Sequence, residues 1–151
     1  MTAFFDLPWD IPRPHTTVVT VSDEHLDAFG HTNNVVYLQW LEQVAWSHST
    51  ALGLDWPAYQ RLGAGCVARR HELDYLAATF AGQTLHLGTW VHENDGRLSM
   101  WRRYQIIRAD DGKTVLRGQT QWVCIDPLTG RPKRQPPEFL AAYSNGRGAV
   151  D

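Results

Sequence analysis

The sequence predicts an α+β domain: a curved antiparallel sheet of about five strands wrapped around one long central helix. Three observations carry this. A β-branched segment, "HTTVVTVS", precedes a long proline-free stretch with helical spacing. Everything after residue 65 reads as extended segments separated by turn signals. A meandering sheet has one face to cover, and a single apolar helix covers it economically.

The elements follow in order. Residues 1–15 mix prolines with aromatics (Pro8, Trp9, Pro12, Pro14) and read as an extended arm. "HTTVVTVS", about residues 16–23, reads as the first strand. From Asn34 the period changes. Tyr37, Leu41, Val44 or Ala45, His48 and Leu52 share one helical face, and Val36, Trp40 and Val44 widen it. Gly53 is the natural stop, giving a helix of roughly 28 Å at 1.5 Å per residue. It is apolar on more than one side, so other structure should wrap it. "DWPAYQRLG" suits a short helix, with Pro57 near its start.

"CVARRHELDYL" alternates moderately. "QTLHLGTWVHE" alternates cleanly, placing Leu85, Leu87, Thr89 and Val91 on one face and His86, Gly88, Trp90 and His92 on the other. "NDGR" and "DDGK" are hairpin signals flanking "LSMWRRYQIIRA", and "TVLRGQTQWVCID" is the last strand. One helical turn is expected around "PEFLAAYS". With no repeat or linker, residues 1–151 read as one domain, with the arm at 1–15 and a tail at 138–151.

Composition excludes several classes. The formal net charge is -2 and there is no basic run, which argues against nucleic acid as a partner. No apolar stretch has membrane-spanning length, and the start lacks the basic head and apolar run of a secretory signal, so a cytoplasmic location is expected. Cys66 and Cys124 lack a CxxC partner and read as buried free thiols. His86 and His92 share a face but are too far apart to chelate one ion, and no HExxH array occurs; neither a metal nor a cofactor is expected. Most of the seven tryptophans read as core.

The polar groups in "HLDAFGHTNN", residues 25–34, crowd the entrance of the long helix. Asn33 or Asn34 can cap it, Gly30 permits a reversal, Asp27 can be a solvated loop residue and His31 a structural histidine. The same geometry admits chemistry. A helix N-terminus presents unpaired N–H groups that can hold a developing oxyanion, and a carboxylate just before it can attack a carbonyl or activate water. A thioester is activated enough to need no more.

"DAFGHTNNxxYxxWxE", residues 27–42, resembles the signature of hotdog-fold acyl-CoA thioesterases of the 4-hydroxybenzoyl-CoA thioesterase type. "RRHELDYLAATFAGQTLHLGTWV" and "ADDGKTVLRGQTQWVCIDPLTGRP" are similar to later strands of that family, so the resemblance covers about residues 16–137. It implies hydrolysis of an acyl-CoA or acyl-carrier-protein thioester. Asp27 would be nucleophile or general base, Asn34 the backbone N–H on the carbonyl, and His31 an orienting or structural residue. Gly30 and Asn33 would shape the loop at the substrate. Tyr37 would stand beside them, although its helical position, like that of Glu42, also suits a structural role.

The chain departs from the family pattern at His25, where an acid is frequent, at Thr32, where valine is common, and at Ala45, where arginine is common. The resemblance further implies a homodimer, or a tetramer of dimers, with the acyl pocket between subunits and the strand around Arg69–Tyr75 completing it. Glu72 and Asp74 are candidate second acids or plain solvated residues. Arg102, Arg103, Arg108 and Arg117 are candidates for the coenzyme A phosphates, with a plain surface role as the default. Two other readings stand beside hydrolysis. A hotdog hydratase or dehydratase would place asparagine and proline between acid and histidine, where Ala28, Phe29 and Gly30 stand here. A non-catalytic acyl-CoA-binding module would not need Asp27.

Overall fold

The computed structural model describes residues 7–150. The first six residues of the expected arm lie outside the described residues. The elements are β1 (His15–Thr20), α1 (Asn34–Ala51), α2 (Trp56–Leu62), β2 (Gly65–Tyr75), β3 (Thr84–Asn94), β4 (Ser99–Arg108), β5 (Thr114–Ile125) and α3 (Pro137–Ala142). The five strands form one antiparallel sheet in the order β1-β3-β4-β5-β2, so the two strands beside α1 in sequence occupy the two edges. The α+β hotdog architecture expected from the sequence is present.

Local chemistry sets the element ends. The first strand stops at Thr20, short of the expected residue 23, because Ser22 starts a 3-10 turn over Asp23–His25 and its N–H donates to His25 Nδ1. Asn33, not Asn34, caps α1: its side chain accepts from Val35 N at 3.0 Å. The helix ends as Gly53 takes φ +87°, a region only glycine enters freely. Asp55 caps α2 by accepting from Ala58 N.

The alternation read in β3 holds. Leu85, Leu87, Thr89 and Val91 are buried beneath α1 and its flanking elements. The opposite face is covered too. Trp90 is buried there, and Trp9 of the arm lies so close over Gly88 that a Cβ would meet its ring at 2.6 Å. The core divides in two: one cluster around Tyr37, Trp40, Leu41, Leu87 and Ile106, the other around Leu54, Tyr59, Met100, Phe139 and Tyr143. One side of α1 stays uncovered, with Val35 and Trp46 63% and 40% exposed. The edge strand β2 is exposed along most of its length.

Between α1 and β4 the interior is polar. Arg102, a candidate phosphate ligand with a surface role as its default, is 1% exposed. It points inward because β4 alternates Met100, Arg102, Tyr104 and Ile106 onto the helix side. Its Nη1 donates to His48 Nδ1 at 2.7 Å, and His48 Nε2 donates to Gly148 O at 2.7 Å. Guanidinium only donates and a carbonyl only accepts, so this geometry fixes His48 as the neutral tautomer. Burial, then the neighbouring Arg102 charge, hold its pKa down at about 3.

This has a stability consequence. The unfolded chain binds a proton at His48 below its ordinary value of 6.5, whereas the folded chain resists until about pH 3. Stability from this group is therefore complete above pH 6.5 and is lost as pH falls toward 3. Denaturant titrations should show a loss of roughly 2 kcal/mol between pH 7.5 and pH 5. His48→Gln should remove that part of the slope, and an unchanged slope would refute the assignment.

The thiols are free, as expected, but not far apart in space. Cys66 and Cys124 are cross-strand partners in the β2–β5 ladder. Burial pushes the Cys66 thiol up to about 12, which leaves it unreactive.

Candidate active site

The segment before α1 is closed by its own backbone. Asp27 N donates to His31 O at 2.8 Å, Gly30 N to Asp27 O at 3.1 Å and Asn33 N to His25 O at 2.8 Å. Leu26 and Thr32 form a single β-bridge across it. At the tip Gly30 takes φ +80°, which a side-chain-bearing residue would enter only with strain.

Asp27 is half-buried and asymmetric in its contacts. Its Oδ1 accepts from Phe29 N at 2.9 Å and His31 N at 3.2 Å. Oδ2 accepts no hydrogen bond from the described residues. The carboxylate is thus pinned by one oxygen and free at the other. It lines a cleft of about 240 Å³ together with His31, Asn34, Tyr37, Tyr75 and Ala78. Asn34 is the first residue of α1, and its N–H, which can have no intrahelical partner, donates to no described residue. Asp27, with one carboxylate oxygen unbonded among the described residues, and Asn34, with its helix-end N–H likewise unbonded, therefore line the same cleft.

The other predicted residues divide. Asn33 is the helix cap. His31 is exposed, with its ring edge-on to Phe80 at 5.1 Å. Tyr37 lines the cleft but is 3% exposed, and its hydroxyl is engaged with Thr79 Oγ1 at 2.6 Å. Thr79 Oγ1 also meets Thr32 Oγ1 at 2.6 Å, and Thr32 N donates to Thr79 O. Thr79, fully buried after β2, thus ties the loop and the first helical turn together. Nothing local in "AATFAG" marks it. Tyr75 reaches the helix end from β2, its hydroxyl donating to Asn34 O at 3.2 Å.

Glu72 is exposed, paired with Arg70 at 2.8 Å and accepting from Gln119. With Asp74 it lines a separate surface cleft beside Arg103 and Arg117, away from Asp27. Of the four candidate arginines, Arg102 is excluded as a phosphate ligand at the surface by its burial. Arg117 is paired with Asp10. Arg108 reaches the candidate site: Nη1 donates to Ala78 O, in the cleft wall, at 2.8 Å, while Nε and Nη2 hold Asp111.

A five-stranded sheet curled round one helix is the hotdog architecture. The sequence profile of the thioesterase-like superfamily matches residues 19–143, and the chain belongs to that superfamily. A Synechocystis protein named for an inferred esterase activity is 28% identical over 126 residues, covering 83% of this chain and 75% of that one. Two solved structures share the fold. One is a 1,4-dihydroxy-2-naphthoyl-CoA thioesterase from Synechocystis (TM-score 0.76, 18% identity, 85% of this chain and 94% of that one). The other is a Staphylococcus aureus protein in complex with CoA (TM-score 0.80, 17% identity, 91% of this chain and 89% of that one).

Proposed function

We propose that the protein hydrolyses acyl-CoA thioesters at the cleft formed by Asp27 and the N-terminus of α1. The observation that carries this is that Asp27 and Asn34 line one cleft, with Asp27 Oδ2 and the Asn34 N–H unbonded among the described residues. The thioester carbonyl oxygen accepts from Asn34 N–H, where the helix dipole favours negative charge. Asp27 Oδ2 then has two routes. It adds to the carbonyl carbon, expelling the thiolate and leaving a mixed anhydride that water hydrolyses. Alternatively it takes a proton from a water that adds to the carbon instead. Both end in free acid and thiol.

Coenzyme A is favoured over carrier protein by the CoA complex of a fold relative and by the acyl-CoA thioesterase among the others. Arg108 is the candidate arginine that touches the cleft wall, through Ala78 O, and a phosphate there would compete with Asp111 for it. His31 orients the loop through its backbone, its N–H holding Asp27 Oδ1 and its carbonyl holding Asp27 N.

A homodimer fits the same reading. The exposed edge of β2 and the uncovered side of α1 are what a second copy would bury. The test is thiol release from short, medium, long and aryl acyl-CoAs, with enoyl-CoA hydration followed in parallel. Hydrolysis of at least one thioester without hydration supports the reading. Hydration without thiol release overturns it in favour of a hydratase.

A further inference from the structure

A second cavity, about 210 Å³, lies beneath the C-terminal half of α1. Its wall includes Ser49, Tyr59, Tyr143, Met100, Trp122 and Arg102. For an interior between helix and sheet this is an unusual lining. Ser49, Tyr143 and Tyr59 form a hydroxyl chain with contacts of 2.7 and 2.6 Å. The buried Trp122 Nε1 has no hydrogen bond of good geometry, although Tyr104 stands beside it.

Arg102 is the decisive group. A buried cation normally has a carboxylate partner, since burial without one is costly. Among the described residues Arg102 has none. Its hydrogen bonds run through Nη1 alone, to neutral His48 and to Thr89 Oγ1 at 3.3 Å. The Tyr143 ring, 5.8 Å from Cζ, offers only a face. Nε and Nη2 make no hydrogen bond with any described residue, and these are the donors a carboxylate engages side-on. Glu42 lines the same cavity but is solvent-exposed and forms no ion pair with Arg102.

The cavity is also aligned with the proposed reaction site. A further cleft of about 290 Å³, lined by Leu38, Leu41 and Ala68, shares Glu42, Cys66 and Trp122 with it. Asn34, Leu38, Glu42 and Trp46 succeed one another at four-residue spacing, so the clefts follow one side of α1. From Asn34 to Ala45 the helix rises about 16 Å.

We propose that this cavity binds a carboxylate at the far end of the acyl group, making the protein selective for thioesters of long dicarboxylic acids. The proposal rests on the thioesterase reading for its route to the cavity, and on Arg102 for its chemistry.

The test compares kcat/KM for an unsubstituted acyl-CoA and for the ω-carboxy acyl-CoA of equal length, chosen long enough to span the clefts. Wild type should prefer the ω-carboxy substrate by at least about tenfold, the worth of one charge-assisted bond. In Arg102→Met that ratio should fall to about one. Should that variant fail to fold, Arg102→Lys, which keeps a positive charge but removes the side-on Nε and Nη2 donors, should reduce the ratio several-fold. Hydrolysis of both substrates at equal efficiency by wild type overturns the proposal.

If no thioester is cleaved, the thioesterase reading fails and calorimetry decides the cavity separately. Tighter binding of a free dicarboxylate than of its monomethyl ester, abolished in Arg102→Met or weakened several-fold in the second variant, sustains the carboxylate site. Equal binding, or none, overturns it.

Discussion

Asp27→Asn should lower kcat/KM for the best acyl-CoA by a hundredfold or more while leaving the fold intact. The asymmetry of the Asp27 contacts predicts both halves of that result. The amide oxygen of asparagine can take over Oδ1 and still accept from Phe29 N and His31 N, so the loop keeps its anchor. The amide nitrogen replaces Oδ2, which then neither attacks a carbonyl nor takes a proton. Loss of a positioned base or nucleophile typically costs 10²–10⁴ in rate. Unfolding free energies of variant and wild type from denaturant titration should agree to within about 0.5 kcal/mol, as expected for a change that breaks no packing. A variant with wild-type activity would place the chemistry elsewhere. Because both routes lose the same atom, the effect should appear mainly in kcat, with KM little changed.

The second large effect is at Thr79, which touches no substrate in this reading. Thr79→Val preserves shape and removes one hydroxyl. That hydroxyl lies 2.6 Å from both Tyr37 and Thr32, and all three residues are buried. Removing it strands the Tyr37 hydroxyl. It also leaves Thr32 only the Thr79 carbonyl at 3.3 Å. The stranded Tyr37 hydroxyl costs about 1–3 kcal/mol and the weakened Thr32 contact adds to it, so a loss of roughly 2–4 kcal/mol in a denaturant titration is expected. Activity should fall as well, since Thr79 fixes the loop that aims Asp27 against the helix that carries Asn34. Tyr37→Phe with Thr79→Val should cost less than the sum of the two single changes, because both partners then leave together. Strict additivity would refute the bridge.

Much of this was legible in the sequence because it depends on short-range geometry. The Asn33 cap, the Gly30 reversal, the Gly53 stop and the strict alternation of β3 each follow from residues a few positions apart. A helix end has the same unpaired N–H groups wherever it occurs, so the capping stretch could be read as a candidate site before any coordinates. The superfamily match agrees with the resemblance that "DAFGHTNN" opens. The first strand was overread by local β-propensity, because the backbone of Ser22 prefers the imidazole of His25 to a strand partner.

What the sequence alone determined is therefore the kind of element at each position and the polar loop at the helix entrance. The tertiary structure decided which groups meet. Thr32 and Thr79 are 47 residues apart, His48 and Arg102 54, and each meeting depends on strand order and register rather than on any local pattern. Strand order sets Arg102 beneath the helix instead of at the surface, and register sets Cys66 opposite Cys124. An arginine in an alternating strand carries no mark of which face will be covered. That is fixed when the sheet curls over α1 and the inward set is buried together.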